Sequence, residues 1–308
     1  MYGMDGQVGS LEGNLKKHPS ECEVLVVGAD SVLGAALFKA FGRRAIGTSR
    51  RADSPHIKLD LSSKEDCLQK LPNVRVAFLC AGITSIQKCH EEHEISKLIN
   101  VTNTLLLSEN LINNNSKIVF FSTSLVFDGG KQFPYEEDAT NPMCEYGMQK
   151  QQVENQIIKY SESALIIRLT KIVTPNLPIF IKWATDLLDN NKIYPFTDYK
   201  MAPLSLESIV DLAEKLLQDW HSGILHFSSD EQVSYAEAAS ILGDLLKTDL
   251  NNIIRKTTLD EKEKTGVGRL PKNVILGTKR LNSVLNFTTP KSRKILTDCL
   301  LNIARKFK

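Results

Sequence analysis

The chain has 308 residues, of which 42% are hydrophobic and 24% are charged, and its formal net charge at pH 7 is +2. This composition is typical of a globular protein, and it excludes a protein that binds nucleic acid or a membrane surface through a large excess of charge. The length predicts one large or two fused α/β domains.

The N-terminal residues and the cysteines predict where the protein works. Residues 1–22 are rich in glycine and polar residues and are expected to form a disordered lead-in. The sequence has no recognisable signal peptide and no apolar run of the ~20 residues that span a bilayer. Its six cysteines form no Cys-x-x-Cys pair and no zinc-ligand pattern with histidines. We therefore expect reduced thiols, no metal site and a cytoplasmic protein.

From Glu23 onward, short apolar runs alternate with longer amphipathic ones, as in a parallel sheet flanked by helices. Strands rich in Val, Ile or Phe are predicted at residues 24–27, 45–48, 74–80, 117–122 and 164–169. Helices are predicted between them at residues 33–41, 64–68, 91–113 and 145–160. This order predicts a Rossmann-type doubly wound parallel sheet over residues 23–173.

Beyond residue 173 the regular alternation ends. Pro175 and Pro178 interrupt the chain. Helices are predicted at residues 179–188, 206–217 and 235–246, and a short strand at residues 224–227. We expect residues 174–308 to form a smaller mixed α/β portion that binds the substrate, with crossovers of the chain between the two parts.

The first predicted strand leads into a glycine turn that opens the first helix. Its members are Gly28, Ala29, Asp30, Ser31, Val32, Leu33 and Gly34. Backbone N–H groups and the helix dipole at such a turn can hold a pyrophosphate, which predicts a dinucleotide site. Ser31 stands where the glycine fingerprint has its middle glycine, and a plain strand-to-helix turn is the alternative interpretation.

The second predicted strand leads into Ser49, Arg50 and Arg51. No acidic residue stands there to bind a ribose 2′-hydroxyl, whereas the two arginines supply the cations that a 2′-phosphate needs. The pattern favours NADP(H) over NAD(H). Two arginines on a solvated loop are the alternative.

Tyr146 and Lys150 are four residues apart on a predicted helix, so both side chains project from one face. A phenol has an ordinary pKa of about 10, and a nearby ammonium is expected to lower it enough for proton exchange near neutral pH. The strand before this helix leads to Thr123, whose hydroxyl would lie at the edge of the sheet where ligands bind. The spacing of Tyr146 and Lys150 could also arise by chance. The pair indicates a catalytic site because its helix follows the strand that leads to Thr123.

Together these motifs resemble the extended short-chain dehydrogenase/reductase family and, within it, the dTDP-4-dehydrorhamnose reductases. The likeness is carried by the glycine turn, Tyr146 with Lys150, and the runs at residues 126–129, 134–139, 270–273 and 278–281. It implies an NAD(P)H-dependent reductase of a keto group on a nucleotide-linked 4-keto-6-deoxy sugar. Tyr146 would be the proton donor, Thr123 would hold the carbonyl oxygen, and Lys150 would bind the ribose.

The resemblance also implies cofactor contacts outside the glycine turn. Asp60 with Leu61 resembles the segment at the adenine edge, and Asn100 resembles a helical asparagine of the site. The run after the third predicted strand, which resembles the segment beside the adenosine, consists of Cys80, Ala81 and Gly82. Each could instead be structural, because a turn and a helical asparagine need no ligand.

The predicted substrate contacts Ser124, Leu125 and Lys171 depart from the family pattern. Rhamnose-type reductases carry Asp-Tyr in place of Ser124 and Leu125, and an aromatic residue in place of Lys171. A 4,6-dehydratase is disfavoured because no carboxylate follows Thr123. A nucleotide-sugar epimerase is one alternative, and a non-catalytic regulatory subunit resembling the β subunit of methionine adenosyltransferase is another. The resemblance implies a homodimer, for which the helices at residues 91–113 and 145–160 offer surfaces.

Overall fold

The computed structural model describes residues 22–51, 53–258 and 271–307. The disordered lead-in predicted for residues 1–22 therefore lies outside the described residues, apart from Cys22. The strands are β1 Val24–Val27, β2 Ala45–Ser49, β3 Ile57–Lys58, β4 Val76–Leu79, β5 Lys117–Thr123, β6 Ala164–Leu169, β7 Lys171–Ile172, β8 Lys200–Met201, β9 Pro203–Leu204, β10 Gly223–Phe227 and β11 Val233–Ser234. The helices are α1 Val32–Phe41, α2 Lys64–Leu68, α3 Ile86–Glu91, α4 His93–Lys97, α5 Thr104–Asn113, α6 Glu145–Ile157, α7 Pro178–Leu188, α8 Leu206–Gln218, α9 Tyr235–Leu246, α10 Lys279–Leu285 and α11 Ser292–Arg305.

Seven strands form one sheet in the order β10-β6-β5-β4-β1-β2-β3. Every pair of neighbours in this sheet is parallel. The order reverses between β1 and β4, because β2 and β3 extend to one side while β5 and β6 extend to the other. The predicted doubly wound parallel sheet is confirmed, and its reversal point opens a crevice at the carboxyl edge.

Both faces of the sheet are covered, which explains why its strands are apolar throughout. On one face, Val26 of β1 shares a core with Leu212 of α8. On the opposite face, Leu25 of the same strand shares a core with Leu107 of α5. Alternate residues of one strand therefore enter two different cores, which holds the carboxyl edge rigid.

After β6 the chain builds a second unit and also returns to the sheet. A separate core joins α7, α9 and α11, with Phe180 and Leu300 fully buried in it. Between these helices, α8 covers the sheet and β10 pairs with β6, in a register that places Ile224 opposite Ile166. The two parts are thus connected by crossovers, and residues 206–227 complete the sheet.

The single helix predicted over residues 91–113 is wrong. The structure has α3, α4, a π-helical stretch Leu98–Asn103 and α5 in its place. The Ser96 hydroxyl donates to the carbonyls of Cys89 and His93, and the Thr104 hydroxyl donates to the carbonyl of Ile99, five residues earlier. Such side-chain bonds compete with the regular helical pattern, and the 3.6-residue periodicity does not reveal them.

The other boundaries agree more closely. The helix predicted over residues 145–160 ends at Ile157 and continues as the 3₁₀ stretch Ile158–Ser163. The elements that were not predicted are the short strands β3, β7, β8, β9 and β11 and the helices α10 and α11. Within the described residues, no helix is both long enough and apolar enough to cross a membrane.

Candidate active site at the carboxyl edge of the sheet

Three turns meet at the carboxyl edge of the sheet. Strand β1 is bordered by β2 and β4, and β4 is bordered by β5. The turns that follow β1, β4 and β5 therefore lie side by side above the reversal point. The first turns of α6 pack against the turn after β5. This arrangement brings all the predicted catalytic residues to one crevice, where parallel α/β sheets bind ligands.

Gly28 and Gly34 are positions of the glycine turn at which a side chain would not fit. Gly28 has a φ of +80°, and a Cβ on it would lie 2.8 Å from the Cβ of Ala81 in the turn after β4. A Cβ on Gly34 would collide with the carbonyl oxygen of Gly28. The absence of side chains at the two glycines lets α1 and the turn after β4 pack directly against the backbone of the glycine turn. Val32, at the start of α1, is 64% exposed, so the first turn of this helix is accessible to a ligand.

Ser31, which stands in place of the middle glycine, is the N-cap of α1. Its φ of −75° and ψ of 164° are ordinary for any residue, and its Oγ accepts the N–H of Gly34 at 3.0 Å. The N–H groups of a first helical turn have no acceptor within the helix, so those of Val32 and Leu33 can meet a phosphate. The residues of this turn therefore fit a dinucleotide pyrophosphate despite the missing glycine.

The turn after β1 and the end of β2 are joined by a carboxylate. Oδ2 of Asp30 accepts hydrogen bonds from the Ser49 hydroxyl and from Nε of Arg51, both at 2.9 Å. The backbone N–H of Arg51 also donates to the Ser49 hydroxyl at 3.1 Å. Arg50 is exposed. Of the two arginines predicted to bind a 2′-phosphate, Arg51 thus already has an anionic partner within the protein.

Asp60 and Leu61 lie in the loop between β3 and α2. Oδ1 of Asp60 accepts the N–H of Ser62 at 2.8 Å, and the carbonyl of Leu61 accepts from the side-chain amide of Asn103 at 2.8 Å. The second bond attaches the loop to the helical stretch Leu98–Asn103. Their contact with the adenine stays a prediction.

Asn100 ties the turn after β4 to α6. Its amide nitrogen donates to the carbonyl of Ile83 and to Oε1 of Gln149, each at 2.8 Å, and its oxygen accepts the N–H of Ile83 at 2.8 Å. A Cβ on Gly82 would lie 3.0 Å from the same oxygen, and Cys80 is bonded through its N–H to β1. The amide of Asn100 is therefore engaged in holding the walls of the crevice together.

Thr123 and the start of α6 are held together by a close backbone contact. The Thr123 hydroxyl oxygen accepts the N–H of Leu125 at 3.2 Å, which fixes the turn after β5. A Cβ on Gly147 would collide with the carbonyl oxygen of Leu125, so α6 lies directly against this turn. This contact places the start of α6, which carries Tyr146, beside the turn that follows Thr123.

Lys150 lies on α6, one helical turn after Tyr146, and its side chain reaches β5. Its ammonium donates to the carbonyl of Phe121 at 2.8 Å and lies 5.8 Å from the centre of the Tyr146 ring. Burial lowers the pKa of Lys150 to about 8, and the carboxylate of Glu154 opposes that fall. The cation is thus close to the phenol but hydrogen-bonded to the strand.

The prediction that Lys150 lowers the pKa of Tyr146 is wrong. Burial raises the pKa of Tyr146 above its usual value, and the thiols of Cys89 and Cys144 contribute to the rise. The sequence places Lys150 near the phenol, but it does not show how far the phenol is removed from water. Burial removes the phenolate from water, and this is the largest cause of the rise.

A buried ion pair behind Lys150 was missed by the sequence analysis. Arg168 of β6 and Glu154 of α6 are 4% and 3% exposed, and Nη2 of the arginine lies 2.8 Å from Oε2 of the carboxylate. Ser122 donates to the same carboxylate, and Nη1 of Arg168 lies 3.1 Å from Nε2 of His226. The sequence does contain an indication of this pair, because Arg168 is the one charged residue in the otherwise apolar strand 164–169 and a buried arginine needs an anionic partner.

The predicted substrate contacts lie around the ends of β5 and β6. Ser124 is buried, Leu125 is half-buried and Lys171 is exposed at the start of β7. Next to Lys171, the buried hydroxyl oxygen of Thr170 has no hydrogen-bond partner among the described residues. The side of the crevice next to β6 therefore offers a cation, an apolar side chain and hydroxyl groups.

Comparison with known proteins gives the same picture over almost the whole chain. The family model described as RmlD substrate binding domain matches residues 22–305. A dTDP-4-dehydrorhamnose reductase from Aggregatibacter actinomycetemcomitans is 26% identical over 231 residues, which cover 72% of this chain and 78% of that protein. The methionine adenosyltransferase 2 subunit beta of Danio rerio is 25% identical over 282 residues, covering 84% of this chain and 83% of that protein.

A solved structure shares the fold. The crystal structure of dTDP-4-dehydrorhamnose reductase (rfbD) from Bacillus anthracis, in complex with NADP, matches with a TM-score of 0.78 at 19% identity. The match covers 91% of this chain and 98% of that one.

Proposed function

Because the chain belongs to the RmlD substrate-binding domain family, we propose that it is an NAD(P)H-dependent reductase of a keto group on a nucleotide-linked sugar. The observation that carries the proposal is the convergence of Thr123, Tyr146 and Lys150 on the end of β5, beside the glycine turn. A relative with this family's fold, dTDP-4-dehydrorhamnose reductase, supports the reaction class.

Tyr146 is the proton donor of this mechanism. Since its pKa is raised, the phenol is protonated at neutral pH and can donate to a ketone oxygen as negative charge develops there. The Thr123 oxygen accepts the N–H of Leu125, which leaves its hydroxyl hydrogen to bond the same ketone oxygen. The reduced dinucleotide, when bound, supplies the hydride.

Lys150 orients ligands from the floor of the site. Its bond to the Phe121 carbonyl uses one of the three donors of the ammonium, and the others remain for ribose hydroxyls. Leu125 offers no side-chain hydrogen bond to a sugar, so we expect an apolar part of the sugar, such as a deoxy carbon, to face it. Lys171 supplies a cation on the same side.

We further propose that NADP(H) is favoured over NAD(H). Arg50 and Arg51 follow β2 next to the glycine turn, where the adenosine ribose is expected. We also expect two copies of the chain to pair through the helical segments at residues 91–113 and 145–160, and the protein to act in the cytoplasm.

The first experiment measures NADPH oxidation by the purified protein with dTDP-, UDP- and GDP-linked 4-keto-6-deoxy sugars. We expect turnover with at least one of them. Tyr146→Phe should reduce turnover by about a hundredfold or more, because a positioned acid contributes ~10² to 10⁴ in rate, while NADPH affinity stays nearly unchanged. Tyr160→Phe, beyond the end of α6, is the matched control. Undiminished turnover of Tyr146→Phe would refute the role of the phenol.

A regulatory subunit is the second candidate, favoured by the match to methionine adenosyltransferase 2 subunit beta over 84% of this chain. In that case the protein binds NADPH and a partner enzyme but turns over none of the sugars. Tight NADPH binding, measured by calorimetry, together with no NADPH oxidation across the panel would select this candidate.

A further inference from the structure

Asp30 places a negative charge at the end of β2, where the sequence has two arginines and no acidic residue. Strands β1 and β2 are adjacent and in register, with Val26 opposite Gly47, so the ends of both strands open onto the same corner. Asp30 lies in the turn after β1, while Ser49 ends β2 and Arg51 follows it. One oxygen of Asp30 accepts both the Ser49 hydroxyl and the Arg51 guanidinium at 2.9 Å.

The carboxylate of Asp30 is ionised at neutral pH. Burial opposes ionisation, but hydrogen bonds from Ser49 and the charge of Arg51 hold the pKa of Asp30 below its usual value. Arg51 is 62% exposed in its side chain, so its pairing with Asp30 is not enforced by burial. The guanidinium can therefore be shared between Asp30 and an incoming anion.

In folds of this kind, the residue at the end of the second strand discriminates between the two dinucleotides. An acidic side chain there accepts a hydrogen bond from the 2′-hydroxyl of NAD(H), and a cation binds the 2′-phosphate of NADP(H). Strand β2 ends without an acidic residue, but Asp30 delivers a carboxylate to the same corner from the neighbouring turn.

We propose that Asp30 is a specificity-determining residue, whose carboxylate neutralises Arg51 and thereby weakens the preference of the site for a 2′-phosphate over a 2′-hydroxyl. The inference rests on the proposed dinucleotide binding. Arg50 supplies the remaining attraction for the phosphate. The protein accordingly binds both dinucleotides, with a smaller NADPH preference than its two arginines alone would give.

The test is the ratio of the NADH to the NADPH dissociation constant, measured by calorimetry without any sugar substrate. Asp30→Asn keeps the shape of the side chain and its capacity to accept from Ser49, but it removes the charge. We expect this variant to raise the ratio about tenfold. Tenfold corresponds to about 1.4 kcal/mol, which is what one charge ~6 Å from a dianionic phosphate contributes when water screens the pair fully. Asp53→Asn, in the exposed loop after β2, is the charge-matched control and should leave the ratio unchanged.

A double-mutant cycle with Arg51→Ala separates this mechanism from a general change of charge. In the Asp30→Asn background Arg51 is released to bind phosphate, so its loss should lower NADPH affinity more than it does in the wild type. An unchanged ratio in Asp30→Asn, or an equal effect of Arg51→Ala in both backgrounds, would overturn the inference alone. If the wild type binds neither dinucleotide, the proposed function fails with it.

Discussion

Among single residues, the site combines a protonated phenol with a buried lysine. The Tyr146 pKa is raised, whereas the pKa of Lys150 is lowered to about 8. In ketone reduction the phenol gives up its proton as the oxygen becomes negative. Burial disfavours the phenolate that this transfer leaves, so the phenol must be reprotonated before the next turnover.

His226 gives the folded protein a pH-dependent stability. Burial and the adjacent Arg168 lower the pKa of His226 to about 3, so the folded state stays uncharged at this ring while the unfolded chain takes up a proton below pH ~6.5. The stability that depends on the neutral ring is complete above that pH and is lost as the pH falls toward 3. The slope from this one group is at most about 1.4 kcal/mol per pH unit.

We expect His226→Gln, whose oxygen can still accept from Arg168, to flatten the fall in the free energy of unfolding between pH 6.5 and 4. Urea unfolding at a series of pH values measures this. His221→Gln, outside the buried network, serves as the control. A profile for His226→Gln that parallels the wild type would show that another group causes the acid sensitivity.

At the scale of secondary-structure elements, the site depends on how closely α6 approaches the turn after β5. Only a residue without a side chain allows this approach at Gly147, because any Cβ meets the Leu125 carbonyl. The contact sets the position of Tyr146, which is the residue before Gly147. The geometry of the acid is therefore fixed by packing between Gly147 and Leu125, which are 22 residues apart in the chain.

Gly147→Ala should move α6 away from Thr123 and reduce turnover by about a hundredfold, because displacements near 1 Å cost that much in a positioned site. NADPH affinity should fall much less, since the glycine turn is untouched. Met148→Ala, at the next residue with a side chain 40% exposed, is the control. Thermal unfolding of each variant verifies that it is folded. Wild-type turnover in Gly147→Ala would contradict the assigned contact.

At the scale of the whole molecule, the sheet is completed by residues that come long after the dinucleotide-binding turns. Helix α8 and strand β10 enter one core of the sheet, where Ile209, Leu212 and Leu225 are fully buried. Strand β6 would be an edge strand without β10. A division of the chain at residue 173 would thus separate residues that belong to the same hydrophobic core.

A fragment ending at residue 173 should therefore not fold independently. It would expose the apolar face of the sheet that α8 covers, together with the unpaired edge of β6. We expect the full chain to unfold in a cooperative thermal transition, and the fragment to show none by circular dichroism. A cooperative transition and NADPH binding by the fragment would instead establish residues 1–173 as an autonomous domain.

Several features could be predicted because they depend on residues close together in the chain. The strands of the sheet, the glycine turn and the pairing of Tyr146 with Lys150 on one helix face are such local patterns. The breaks within residues 86–113 could not be predicted in this way, because the hydroxyls of Ser96 and Thr104 bond to backbone carbonyls of the same segment and the spacing of apolar residues does not reveal those bonds.

The fold class, the family and the residues that meet at the carboxyl edge follow from the sequence, since apolar strands, helix periodicity and turn chemistry are properties of short segments. The electrostatic state of those residues depends on the tertiary structure. Burial raises the pKa of Tyr146. Two ion pairs form between remote elements, one between Asp30 and Arg51 and one between Glu154 and Arg168. Desolvation and ion pairing depend on distances between elements that are remote in the chain, and no local pattern of residues contains those distances.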